Sequence, residues 1–227
     1  MTMKNDHTVI LACSSLKDYV EEAQRRLGTE IETIYLNRLY HRDPNEMREH
    51  ILDKLDKLSE GTDTVLVAMG YCGGSWEGVA KNTCRIVLPR IDDCVSLVMQ
   101  LTDEPKSDLK EPKHFYVREK DPSRESIKGI FEHMAARQDL DPETTEMYHK
   151  HWQDMYDEID IIDTPINNAR SQEYFDKVKV DADWLDAKLD YVMGGTHMIE
   201  KLIRGDWDDQ FLVLEPGEPA TKKEMLI

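Results

Sequence analysis

Three short apolar runs, at residues 8–12, 64–69 and 85–89, constrain this chain more than any other feature. They are too short for core helices and too continuous for strands with one wet face. Such runs fit strands covered on both sides of a parallel sheet. Helical patterns fill the gaps between them. Ser14-Ser15 stands where a helix cap belongs, ahead of Leu16, Tyr19, Val20, Ala23 and Leu27 at helical spacing. A further strand is expected at 31–36. Asp43-Pro44-Asn45-Glu46 then opens a helix whose apolar positions are Met47, Ile51, Leu52, Leu55 and Leu58. Later strands are expected at 114–118, 159–162 and 211–214. Helices are expected at about 122–137, 143–156, 168–178 and 183–203, the last interrupted at Gly194-Gly195. Strands that alternate with helices imply an α/β fold, with a mainly parallel Rossmann-like sheet and helices on both faces. We read residues 1–227 as a single α/β domain with a mostly helical segment at about 120–205.

Composition narrows the partners. The formal charge of −17 disfavours nucleic acid, whose phosphates are bound through clustered Lys and Arg. The acidity falls in surface-type segments such as Asp181-Ala182-Asp183 and Asp206-Trp207-Asp208-Asp209, which read as a solvated face. No apolar run approaches the roughly 20 residues of a membrane span. Residues 1–7 hold no apolar signal region, so a cytoplasmic location is expected. Four cysteines in such a setting are more often reduced thiols or metal ligands than structural disulfides.

Three of those cysteines follow the three apolar runs: Cys13, Cys72 and Cys94. In an open α/β sheet the carboxyl ends of neighbouring strands share one crevice, so distant residues meet there. Thiolates are soft ligands, and three of them with an open fourth position suit zinc or an iron–sulfur cluster. Cys72 lies in Gly70-Tyr71-Cys72-Gly73-Gly74, where Gly73 and Gly74 permit backbone conformations that other residues avoid. Asp92 or Asp93 is placed to cap a helix with Cys94 in its first turn, where the helix dipole favours thiolate. Cys84 precedes its strand and reads as a small core residue. No C-x-x-C pair is present, which argues against a zinc finger and against thioredoxin-like redox chemistry.

The set Ala12-Cys13, Gly70-Tyr71-Cys72-Gly73, Pro89-Arg90-Ile91-Asp92-Asp93-Cys94 and the run from Gly205-Asp206-Trp207 to Glu215-Pro216-Gly217-Glu218 resembles the domain of unknown function numbered 1638. The resemblance spans nearly the whole chain. That family is known mainly from methanogenic archaea and anaerobic bacteria, often beside corrinoid-dependent methyltransferases. The resemblance therefore implies a role near one-carbon transfer, with a corrinoid as a further cofactor and a corrinoid protein or methyltransferase as partner. Two departures stand out. Ser14 and Asp92 occupy positions where members commonly carry Glu and His, which takes a carboxylate and an imidazole from the expected crevice.

Other residues are weaker candidates for binding a small-molecule substrate or cofactor. Arg90 follows its strand directly and can hold an anion or pair with Asp92. His197 follows Gly194-Gly195-Thr196 and can bring a ligand or base to the crevice. Trp76, Trp207 and Tyr71 can wall a flat cofactor or simply pack. His149 and His151 lie two apart, on different faces of a helix, and make no chelating pair. Three functional classes remain open: a three-cysteine metalloprotein acting in methyl transfer, an accessory protein that delivers a metal or corrinoid, and a structural protein with buried thiols.

Overall fold

A computed structural model describes residues 7–226, the side chains of Arg124 and Glu125 excepted. In chain order the elements are β1 (Thr8–Cys13), α1 (Lys17–Leu27), β2 (Glu32–Leu36), α2 (Pro44–Asp56), β3 (Thr64–Ala68), β4 (Arg85–Pro89) and α3 (Cys94–Met99). There follow β5 (His114–Val117), α4 (Ile127–Arg137), α5 (Pro142–Met155), β6 (Glu158–Asp163), α6 (Gln172–Leu185) and β7 (Lys188–Met193). The chain closes with α7 (His197–Arg204), β8 (Phe211–Leu214) and α8 (Lys222–Met225). It divides into two compact units. One comprises the residues up to Leu109 together with those from Gly195 onward; the other is Lys110–Gly194. Each has its own sheet, so the α/β class and the mainly parallel strand arrangement hold with two sheets in place of one.

In the first unit the strand order is β2-β1-β3-β4-β8. The first four strands run parallel and β8 joins β4 antiparallel. Strand β1 lies where the order reverses, with β2 on one side and β3 on the other. In doubly wound sheets the crevice at the carboxyl ends beside such a reversal takes the ligand. The apolar runs behave as their composition requires, because successive residues Val9–Cys13, Val65–Met69 and Ile86–Leu88 are all buried. Burial without alternation means that both faces of these strands are covered. Helix α1 packs against α7, and α7 lies on β3 and β4.

The second unit has a three-stranded parallel sheet in the order β5-β6-β7. Here the two faces differ. Val117, Ile159 and Ile161 pack with Ile127, Tyr174, Val178, Ala182 and Leu185, and Phe115, Leu189 and Tyr191 adjoin the same cluster. Intervening positions are polar: His114 and Tyr116, Glu158 and Asp160, Lys188 and Asp190. Asp181, expected on a solvated face, is instead buried and starts helix α4, accepting hydrogen bonds from Ser126 Oγ and the backbone N of Ile127 and Lys128 at 2.9–3.0 Å.

One expectation fails in this unit. The helix expected at 183–203 is instead the end of α6, strand β7, and α7. Asp186 terminates α6 in the left-handed conformation, φ 56°, which glycine or asparagine usually marks in sequence. Beyond it, Leu189 and Tyr191 alternate with Lys188 and Asp190, which is strand spacing. The interruption expected at Gly194-Gly195 does separate β7 from α7.

Candidate functional site

The carboxyl ends of β1, β3 and β4 carry the cysteines into loops that are tied together. After β3, Tyr71 N donates to Ile91 O at 2.8 Å and Cys72 N to Asp92 O at 2.7 Å, so the two loops run as a short extra bridge. Gly70 makes this approach possible. A Cβ there would stand 2.5 Å from Asp93 Cα and 2.7 Å from Asp93 N, closer than any side chain tolerates. Asp93 caps α3, accepting from Val95 N at 3.0 Å and Ser96 N at 2.9 Å, and thereby puts Cys94 in the first turn as the sequence predicts. Cys94 is 4% exposed and Cys13 is fully buried.

The third member of the cluster is His41. It lies on the turn Arg38–Arg42 after β2, and that turn is fixed from two sides. Asn37 Oδ1 accepts from Leu39 N at 3.0 Å, and Ser14 Oγ accepts from Arg38 N at 3.0 Å. Ser14, where a carboxylate was the expected residue, therefore anchors the histidine turn. His41 Nε2 stands 3.3 Å from Cys13 Sγ, which also bonds Ser15 Oγ at 3.0 Å. Cys13, His41 and Cys94 each offer one ligand atom within 4.8 Å of the others. The hydrogen bond that Cys13 donates to Cys94, together with burial, pushes the Cys13 thiol up to about 12, although His41 pulls the other way. Without a cation Cys13 holds its proton.

Cys72 is adjacent but stands outside this group. It is partly exposed and adopts φ 48°, a left-handed conformation unusual for a residue with a side chain. Its turn, Cys72–Gly74, is wedged on the α2 side as well: a Cβ on Gly73 would come within 3.1 Å of Pro44 Cγ, and Arg48 Nη2 donates to Gly74 O at 2.6 Å. Gly73 and Gly74 both have positive φ, at 68° and 99°.

The remaining candidates have other attachments. Arg90 donates to the backbone oxygens of Glu224 at 2.7 Å and Asp209 at 3.2 Å. Asp92 contributes backbone to the loop bridge and takes Ser107 O at 2.8 Å through its own N. His197 is 3.3 Å from Asp103, in a cleft with Lys201, Arg204 and Trp207. Trp76 and Tyr71 are buried, and Tyr71 donates to Glu77 at 2.7 Å. Trp207 donates to Leu202 O at 2.9 Å. Cys84 is buried at the start of β4, and burial raises its pKa.

The sequence reading overlooked His41. The signal was available, because the crevice rule covers the carboxyl end of β2 as well as β1, β3 and β4.

Comparison with protein families matches residues 35–203 to the family described as "Protein of unknown function (DUF1638)". The chain belongs to that family. The matched residues include His41, Cys72 and Cys94, whereas Cys13 and the Gly205–Glu218 run lie outside them. Comparisons with curated proteins and with solved structures give no match. Among the described residues, no helix of this DUF1638 protein is long and apolar enough to cross a membrane.

Proposed function

We propose that this DUF1638 protein binds a zinc ion through Cys13, Cys94 and His41, with a fourth position open to a small substrate thiol, and that Cys72 serves that open side as a third cysteine. The observation that carries the reading is the 3.3 Å separation of Cys13 Sγ and His41 Nε2, with Cys94 in the same cluster. Tetrahedral zinc with ordinary bond lengths holds a sulfur and a nitrogen ligand about 3.6 Å apart, so small side-chain rotations suffice. Two thiolates and one imidazole with an open position form a catalytic donor set. A cluster normally takes more thiolates than the two gathered here, which places an iron–sulfur cluster second: it needs Cys72 to swing inward as the third.

Bound zinc lowers the pKa of a thiol or water at its open position and so prepares a nucleophile. The residues of the chain divide the remaining work. Asp93 fixes the start of α3 and hence the Cys94 Sγ position. Ser14 and Asn37 fix the histidine turn. Burial of Cys13 and Cys94 keeps water from one side, while exposed His41 leaves the other side accessible. An activated thiol is a methyl acceptor, which agrees with the corrinoid-dependent one-carbon chemistry that the family resemblance implies.

The exposure of His41 favours one alternative, an accessory protein that hands a metal or corrinoid cofactor to a methyltransferase, since a ligand on a surface turn can let go. Elemental analysis and a visible spectrum of anaerobically purified protein, followed by assay with a methylcorrinoid donor and thiol acceptors, separate the readings. Bound zinc with turnover supports thiol activation. Bound metal without turnover, released quickly to a chelator, supports delivery. Absorbance near about 400 nm identifies a cluster. Metal content unchanged in Cys94→Ser refutes the site.

A further inference from the structure

The second unit contains another constellation, in which no cysteine takes part. His114 on β5 and Glu158 and Asp160 on β6 project from the polar face of the three-stranded sheet, because the parallel register pairs His114 with Glu158 and Tyr116 with Asp160. His114 Nδ1 is 2.8 Å from Asp160 Oδ2, and its Nε2 is 3.9 Å from Glu158 Oε2. One ligand atom from each of the three lies within 4.8 Å of the others. The Asp160 side chain is only 4% exposed, and those of His114 and Glu158 are 23% and 22% exposed. Two carboxylates converge on one ring, and Asp160, the buried one, has its charge partnered only by that ring's proton among the three groups, so the cluster offers a divalent ion two anionic oxygens and a nitrogen.

We propose that His114, Glu158 and Asp160 form a second divalent-cation site, suited to a harder first-row ion such as Mn²⁺ or Fe²⁺. Carboxylates favour such ions and imidazole accepts them, whereas the thiolates of the first unit favour zinc. The geometry is close to what binding needs. Six-coordinate ions with bonds of about 2.1 Å hold adjacent ligand atoms about 3 Å apart, close to the His114–Asp160 separation. The ion displaces the proton shared by those two groups and releases it to solvent. The partly exposed Glu158 then rotates to supply the third ligand. This proposal is independent of the zinc reading.

The test is a Mn²⁺ titration of the full chain at about 0.15 M salt, following the paramagnetic resonance signal of the free aqueous ion. The expected result is saturable uptake of a single Mn²⁺, the same in the Cys13→Ser/Cys94→Ser double variant. Glu158→Gln and His114→Gln each weaken uptake by at least about tenfold while the circular dichroism spectrum stays the same. Glu173→Gln, at an acid whose side chain is 81% exposed, leaves uptake unchanged, which excludes diffuse attraction by the acidic surface. Equal uptake by the wild type and both folded variants overturns the proposal, as does the absence of saturable uptake by the wild type.

Discussion

The two units place their ionisable clusters at opposite ends of parallel strands. In the first, Cys13 ends β1 and Cys94 follows β4 at the carboxyl edge, beside the strand-order reversal. In the second, His114 and Glu158 are the first residues of β5 and β6, at the amino edge. The loops account for the difference. The first unit brings Cys13, His41 and Cys94 together with backbone: the bridge between the loops after β3 and β4, the Asp93 cap and the Ser14 anchor. The second needs only the pleat and the register, which put neighbouring strand residues on one face. Loops allow soft, buried ligands from distant segments to converge. A bare sheet face gathers harder side chains that are already adjacent.

This contrast can be broken most sharply at Cys94. Replacing it with serine removes a buried sulfur ligand and should weaken zinc binding about a thousandfold, roughly 4 kcal/mol, in a competitive chelator titration. Mn²⁺ uptake by the second unit should not change. Asp181→Ala reverses the selectivity. It strips three hydrogen bonds from the start of α4 and should cost about 3 kcal/mol in chemical denaturation, with zinc affinity preserved in the folded chain.

Smaller effects sharpen the role assigned to the loops. Asp93→Ala removes a local cap, so stability should fall by about 1 kcal/mol, and zinc affinity by about tenfold because Cys94 loses its orientation. The smallest perturbation is chemical. In metal-free protein, timed alkylation read by mass spectrometry should label partly exposed Cys72 ahead of Cys13 and Cys94. Zinc should slow the latter two further.

The sequence revealed whatever was encoded by continuous apolar runs and nearby caps. Strands β1, β3 and β4 and the Asp93–Cys94 helix start were all readable from local composition. The end of β2 marked the neighbourhood of His41 but not its contact with Cys13, which depends on Ser14 and Asn37 holding a short exposed turn against a strand end, and neither bond has a sequence periodicity. Strand β7 was hidden by Asp186, which ends α6 with φ 56° where no glycine marks the stop. The triad on the second sheet was masked by its own simplicity. His114, Glu158 and Asp160 look like the wet positions of ordinary strands until the β5–β6 register brings them together.

Zinc-edge X-ray absorption on the anaerobically purified full chain tests the central claim most directly. The account predicts bound zinc with two sulfur neighbours at about 2.3 Å and an imidazole nitrogen at about 2.0–2.1 Å, lost in Cys94→Ser. A zinc shell of oxygen and nitrogen alone, or one unchanged by that substitution, would contradict it.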